Sequence, residues 1–339
     1  MKALFIGGTG TISLSISRLL IQNGWELHLL NRGNRADTLP EGVKHLQADI
    51  NDVDAVAALI ANESYDVVAD FIAFKPAQVE RDFKLFEGKT KQYIFISSAS
   101  AYQKPLAHYE ITESTPLANK YWMYSRNKIA CEETLAKLYR EQGFPITIVR
   151  PSQTYDARSI PLGVHGHKGS WSVVKRMLEG KPVIIHGDGT SLWTITHSTD
   201  FAKGFAGLMG NLHAIGETVQ ITSDESVTWN QIYATVADTL GVALNAVHVS
   251  SDFLSACGEQ YDFTGGLLGD KANTVVFDNT KLKRLVPGFT ATVRADEGIA
   301  QAVRNILENL QLQTEDEEFD RWSDRVIEVQ QAALKEFLG

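Results

Sequence analysis

Short apolar runs alternate with stretches of helical period through the first 150 residues, the pattern of repeated βαβ units and a parallel sheet. Lys2 to Ile6 reads as the first strand. In the helix after it Ile12, Ile16, Leu19 and Leu20 share one face, and Gly24 ends it. Further strands are expected at Glu26 to Leu30, Val43 to Gln47, Asp66 to Phe71, Gln92 to Ser97 and Ile146 to Arg150, with helices at Val53 to Ala61, Pro76 to Phe86 and Lys120 to Gln142. This rhythm predicts an α/β fold, a doubly wound parallel sheet of Rossmann type.

Beyond Pro151 the rhythm loosens into glycine-rich loops at 163–169 and 187–189. It resumes with helices at Asp200 to Met209 and Asn230 to Leu240, while Glu217 to Thr222 reads as a strand able to return to the first sheet. The expectation is therefore two interleaved parts. Residues 1–160 with about 194–224 form a dinucleotide-binding domain, and 161–193 with 225–339 form a smaller substrate lobe. Thr314 to Asp320 reads as a solvated acidic surface.

Composition narrows the class. The 339 residues are 44% hydrophobic and 22% charged, ordinary for a folded globular chain. Lys and Arg number 32 against 41 Asp and Glu, a formal charge of -9, which disfavours a nucleic-acid partner. Cys131 and Cys257 lack metal or disulfide spacing, so a reducing compartment is expected. No apolar run has the length of a membrane span or signal core, and the expected location is cytoplasmic. His165 and His167 have no nearby third ligand, so no metal site is expected, and Cys131 reads as core.

The first βα turn is Gly7-Gly8-Thr9-Gly10-Thr11-Ile12-Ser13. Glycines there let the backbone approach a pyrophosphate while the helix N-terminus faces its charge. Ser13 stands where a third glycine is usual. After the second strand comes Asn31-Arg32-Gly33-Asn34-Arg35, with no carboxylate to bind a ribose diol and two guanidiniums suited to a 2′-phosphate. NADP(H) is therefore expected over NAD(H).

The fifth strand runs into Ser97-Ser98-Ala99-Ser100-Ala101-Tyr102, and Tyr124 and Lys128 stand four apart on the next predicted helix. An ammonium beside a phenol favours its ionised form, and a serine hydroxyl can polarise a substrate oxygen. Glycine loop, serine strand and Y-x-x-x-K in this order resemble the short-chain dehydrogenase/reductase superfamily, and more closely its extended, NAD-dependent epimerase/dehydratase branch. Arg150-Pro151-Ser152, Gly187-Asp188-Gly189-Thr190, Thr196 to Asp200 and Phe277 to Lys281 are similar to later motifs of that branch.

The resemblance implies Tyr124 as acid/base, Lys128 as its partner and Ser98 as donor to the substrate oxygen. For the cofactor it implies Gly7, Thr9, Gly10, Thr11, Ile12, Asn31, Arg32, Arg35, Asp49, Ile50, Phe71, Ile72, Ala73, Ser97, Tyr124, Lys128, Pro151, Ser152 and Thr154. Ser100, Tyr102, Gln153 and Trp193 are candidate substrate contacts. A homodimer is a further implication.

Two departures bear on the reaction. The branch's dehydratases carry an Asp-Glu pair where Ala99 and Ser100 stand, which disfavours dehydration. Its nucleotide-sugar enzymes carry a diphosphate-holding arginine where this chain has Ser191-Leu192-Trp193-Thr194, leaving Arg158 or Lys168 as substitutes. The expectation is an NAD(P)-dependent oxidoreductase or epimerase, with hydride transfer at a secondary alcohol or ketone of a sugar-like or other small carbonyl substrate, either as net oxidation or reduction or transiently within an epimerisation. The alternative is a non-catalytic nucleotide- or RNA-binding member, because the Asn31-Arg32-Gly33 turn also resembles chloroplast RNA-binding relatives.

Overall fold

The structure is a computed structural model that describes residues 1–33 and 39–339. Seven parallel strands form its central sheet: β1 (Lys2–Ile6), β2 (Glu26–Asn31), β3 (Lys44–Gln47), β4 (Val67–Asp70), β5 (Tyr93–Ile96), β6 (Ile146–Pro151) and β7 (Thr218–Ile221). Their spatial order is 3-2-1-4-5-6-7, so the order reverses between β1 and β4, where Ala3 pairs with Val67. A crevice opens at the carboxyl ends of strands at such a reversal. The seventh strand is the segment 217–222, which pairs Thr218 with Ile148.

Alternation along the strands supplies two cores. Phe5 faces one layer with Ile16 and Leu20 of α1 (Thr11–Gln22) and Phe201 and Phe205 of a helix at Ser198–Leu208. Leu4 and Ile6 face the other, with Val56 of α2 (Val53–Leu59), Val79 of α3 (Pro76–Phe86) and Leu135 of α4 (Met123–Gln142). Period-2 side-chain alternation makes both faces apolar, as a sheet covered by helices on both sides requires. Cys131 lies fully buried in the second layer, and burial pushes its thiol up to about 12.

A third cluster holds the remainder together, with Trp193, Trp229, Ile299 and Phe319 among its members. It is bordered by short pairings such as Val183–His186 with Ala246–Val249 and Glu110–Ile111 with Val276–Phe277. The acidic stretch 314–320 is exposed at Thr314, Glu315, Glu317 and Glu318, as its charge suggested, but is anchored at its other positions. Asp316 caps the helix Glu317–Leu338 by accepting from Phe319 N, Phe319 is buried, and Asp320 pairs with buried Arg176 at 2.6 Å. A capping acid followed by a buried aromatic docks this segment, whereas net charge alone suggested solvent. Helix α4 also begins three residues later than its pattern suggested, because Asn119 ties down the preceding turn by accepting from Tyr121 N and Trp122 N.

Candidate active site

Two cavities open along the carboxyl edge of the sheet. The larger, about 560 Å³, is lined by Gly7, Thr9, Gly10, Asn31, Arg32, Asp49, Ile50 and Ile72, together with Leu30, Ala48, Asn51 and Gln78. Gly7 has a φ of 84°, and a Cβ there would lie 2.5 Å from Ile72 Cγ2. Both facts call for glycine. A Cβ on Gly10 would meet nothing nearer than Ser13 Oγ at 3.5 Å, so it would occupy the space over the start of α1. Ser13 replaces the missing third glycine with bracing: Oγ accepts from Gly10 N at 2.9 Å and donates to Gly7 O at 3.1 Å. Helix N-termini leave their first donors, here those of Thr11 and Ile12, free for an anion. This cradle fits the pyrophosphate of a dinucleotide.

At its far end Asn31 Oδ1 accepts from Gly33 N and contacts His45 Nε2, both at 2.9 Å, while buried Asn31 Nδ2 has no partner among the described residues. Arg32 is exposed on the cavity wall. Arg35 lies outside the described residues. Phe71 departs from expectation, because its ring packs inward 5.0 Å from Phe5 and only Ile72 of that turn faces the cavity.

The smaller cavity, about 300 Å³, is lined by Ser98, Ser100, Tyr124, Pro151, Ser152, Gln153 and Trp193 from the expected set, and by Ala99, Lys104, Trp122, Asp270, Lys271, Val275 and Phe277. Ser98 Oγ lies 2.9 Å from Ser100 Oγ and accepts from Ser100 N at 3.1 Å, which fixes the hydroxyl at the strand's end. Ser125 Oγ donates to Ser100 Oγ at 2.8 Å and joins this cluster to α4. Burial raises the Tyr124 phenol, the Ser98 hydroxyl pulls it down, and Asp270 raises it further.

Lys128 stands between the cavities with 1% of its surface exposed. Its Nζ donates to Ala73 O and Ile96 O, each at 2.7 Å, and lies 5.8 Å from the Tyr124 ring centroid. Ala73 follows the groove residue Ile72, and Ile96 precedes the serine cluster. An ammonium has three donors, so one remains for a ligand. Burial pulls Lys128 down to about 8.

Besides Phe71, three more expected contacts are placed elsewhere. Ser97 donates its hydroxyl to Glu132 and is buried beneath the site; Glu132 in turn holds Arg150 through Nε at 3.0 Å and Nη2 at 2.6 Å. Tyr102 is fully buried, its OH donating to Gln220 Oε1 at 2.9 Å and its ring 4.8 Å from the Arg150 guanidinium. Its side chain therefore supports the wall without reaching the cavity. Thr154 lines neither described cavity, and its Oγ1 is buried without a partner among the described residues. Thr11 Oγ1 is bonded by Arg158 at 3.4 Å.

Sequence reasoning missed Glu132, although it sits one turn beyond Lys128 on the same helix face, a usable signal. It also missed Asp70, buried at the end of β4, which accepts from Ile72 N at 2.6 Å and Ala73 N at 2.9 Å and so shapes the turn at the groove.

A family model described as the NAD dependent epimerase/dehydratase family matches residues 3–222. The chain belongs to that family. Among its relatives, 2'-dehydrokanamycin reductase of Streptomyces kanamyceticus is 26% identical over 292 residues, 85% of this chain and 80% of that protein. Chloroplast stem-loop binding protein of 41 kDa b from Arabidopsis thaliana is 28% identical over 244 residues, 68% of this chain and 60% of its own length. The fold matches UDP-glucuronic acid 4-epimerase of Bacillus cereus, solved with UDP-glucuronic acid and NAD, with a TM-score of 0.73, 19% identity and coverage of 91% and 99% of the two chains. Family membership makes a nicotinamide dinucleotide the group that the glycine cradle fits. No helix among the described residues is long and apolar enough to cross a membrane.

Proposed function

We propose that this family member is an oxidoreductase that uses NADP(H) to reduce a ketone, or oxidise the corresponding secondary alcohol, with Tyr124 as acid/base. The observation that carries the reading is that Tyr124 and Ser98 line the smaller cavity together while Lys128 Nζ, bonded to Ala73 O and Ile96 O, lies 5.8 Å from the Tyr124 ring centroid. When bound, the nicotinamide supplies or accepts the hydride. Tyr124, half-buried and with its phenol raised so that it is protonated at neutral pH, gives its proton to the substrate oxygen as negative charge develops there. The Lys128 ammonium favours the phenolate left behind, and its remaining donor holds a ribose hydroxyl. Ser98 donates a hydrogen bond to the same substrate oxygen.

Net reduction is favoured over nucleotide-sugar epimerisation because, among the described residues, no arginine lines the smaller cavity. Arg158 is paired with Asp156 at 2.5 Å, and Lys168 reaches Glu315 O at 2.9 Å, so neither substitutes as a diphosphate clamp. Ala99 and Ser100 occupy the wall where a dehydratase needs two carboxyl groups, which argues against elimination. The reductase among the relatives supports the same direction. The RNA-binding alternative has a namesake in the chloroplast relative, but the charge of -9 and the assembled triad weigh toward catalysis.

The test is Tyr124→Phe. Turnover of NADPH with a ring-ketone substrate should fall by roughly 10² to 10⁴ while NADPH affinity stays within twofold. Turnover near the parent value would remove Tyr124 from the chemistry.

A further inference from the structure

The proton and hydride steps use none of the three charged residues that line the smaller cavity, Lys104, Asp270 and Lys271, of which the first two feel each other's charge. Lys104 is 5% exposed and reaches the cavity from the segment after the serine cluster, and Asp270 reaches it from a turn of helix at Thr264–Lys271. Among the described residues neither head group has a hydrogen-bond partner; they feel only burial and charge, Lys104 that of Asp270, and Asp270 those of Lys104 and Lys271. A desolvated ammonium and carboxylate without partners are costly, and a ligand offering an acceptor to one and a donor to the other relieves that cost.

Their separation is held by the fold. Lys104 N donates to Ala118 O at 2.8 Å, and Asn119 next to it donates through Nδ2 to Gly269 O at 2.7 Å and Ser100 O at 2.8 Å. One buried amide thus ties the Lys104 segment, the Asp270 segment and the serine cluster together. Gly265 lets the Asp270 segment lie against Trp122, since a Cβ there would come within 2.1 Å of the indole. Trp193 forms another wall, held by its Nε1 donating to Gln153 Oε1 at 2.7 Å.

We propose that Lys104 and Asp270 determine specificity by taking neighbouring hydroxyls of a carbohydrate-like ring ketone without a diphosphate. A diol presents one oxygen to the ammonium and one O–H to the carboxylate, and the C–H face of the ring lies on indole. The ketone part rests on the hydride-transfer reading; the hydroxyl pair rests on the cavity alone. A ketone lacking hydroxyls would strand both charges, the situation in which buried polar groups discriminate most strongly.

The probes are methyl 3-keto-glucopyranoside, cyclohexanone and UDP-glucose, with NADP⁺-loaded wild type, Lys104→Met and Asp270→Asn, binding read by saturation-transfer NMR. Wild type should bind the ketoglycoside at least tenfold better than cyclohexanone or UDP-glucose, and each variant should lose at least tenfold for the ketoglycoside. Nucleotide affinity within twofold of wild type verifies folding, with Lys104→Gln and Asp270→Ser replacing any variant that fails it. Undiminished ketoglycoside binding in the variants, no ketoglycoside binding by wild type, or a preference for cyclohexanone or UDP-glucose overturns the assignment. NADPH consumption followed in parallel separates the two claims. Variant-sensitive binding without consumption sinks hydride transfer alone, and consumption with variant-insensitive binding sinks the Lys104 and Asp270 assignment alone.

Discussion

The two cavities are built in opposite ways. The phosphate end of the nucleotide groove owes its shape to backbone: the φ of 84° at Gly7, the open space over Gly10 and the N-terminus of α1, all within residues 7–13. The substrate cavity owes its character to side chains brought from 98–104, 122–124, 151–153, 193 and 270–277. A groove of the first kind binds what all relatives share, while a cavity of the second kind can change its ligand one side chain at a time. Lys128 and the buried Ser97, Glu132 and Arg150 network lie between them, so damage there should reach both.

That contrast is broken most severely at Glu132. Glu132→Ala strands the buried Arg150 guanidinium and should cost about 3–5 kcal/mol, seen as a lower midpoint in urea unfolding, with both cavities impaired. A loss below about 1 kcal/mol would mean that the pair is not buried in solution. Gly7→Val should damage the groove alone. A branched residue at that φ is strained by roughly 2–3 kcal/mol, so nucleotide affinity should fall by roughly 30- to 150-fold while the smaller cavity is kept. Calorimetric titration measures it.

Arg32→Asp sharpens the comparison within the groove. It should weaken NADPH about tenfold, 1.4 kcal/mol, more than NADH, and equal losses would show that Arg32 does not read the 2′-phosphate. The smallest effect concerns pH. Lys128, pulled down to about 8 by burial, is cationic below that pH and loses its charge as pH rises through it. Support for the phenolate is lost with that charge, so kcat/KM should halve near pH 8 and keep falling above it. A profile flat to pH 10 would remove Lys128 from that role. Linkage gives the matching sign for stability. The unfolded lysine binds more protons between about 8 and its ordinary 10.5, so this group makes the fold relatively more stable as pH rises across that window.

The same contrast explains what was legible in the sequence. The alternation of Leu4, Phe5 and Ile6, the glycines at 7, 8 and 10, and the spacing of Tyr124 and Lys128 are local patterns with fixed structural meaning, and the parallel sheet followed from them. Lys104 and Asp270 are 166 positions apart and neither belongs to a local pattern. Only the docking of Gly265 on Trp122 and the three-way grip of Asn119 bring them to one wall. Tyr102 shows the reverse error, because proximity to the serine cluster suggested a ligand contact where the chain had already turned its phenol toward Gln220.

The central claim is that this site moves a hydride from nicotinamide to a carbonyl carbon while Tyr124 supplies the proton. It is tested most directly with NADPH carrying deuterium at the transferable C4 position and a hydroxylated ring ketone, the alcohol product being examined by mass spectrometry and NMR. Deuterium bound to the carbinol carbon in the wild-type product, with at least a hundredfold less labelled product from Tyr124→Phe over the same time, is the predicted result. Alcohol formed without the label, or equal labelling by the two proteins, would contradict it.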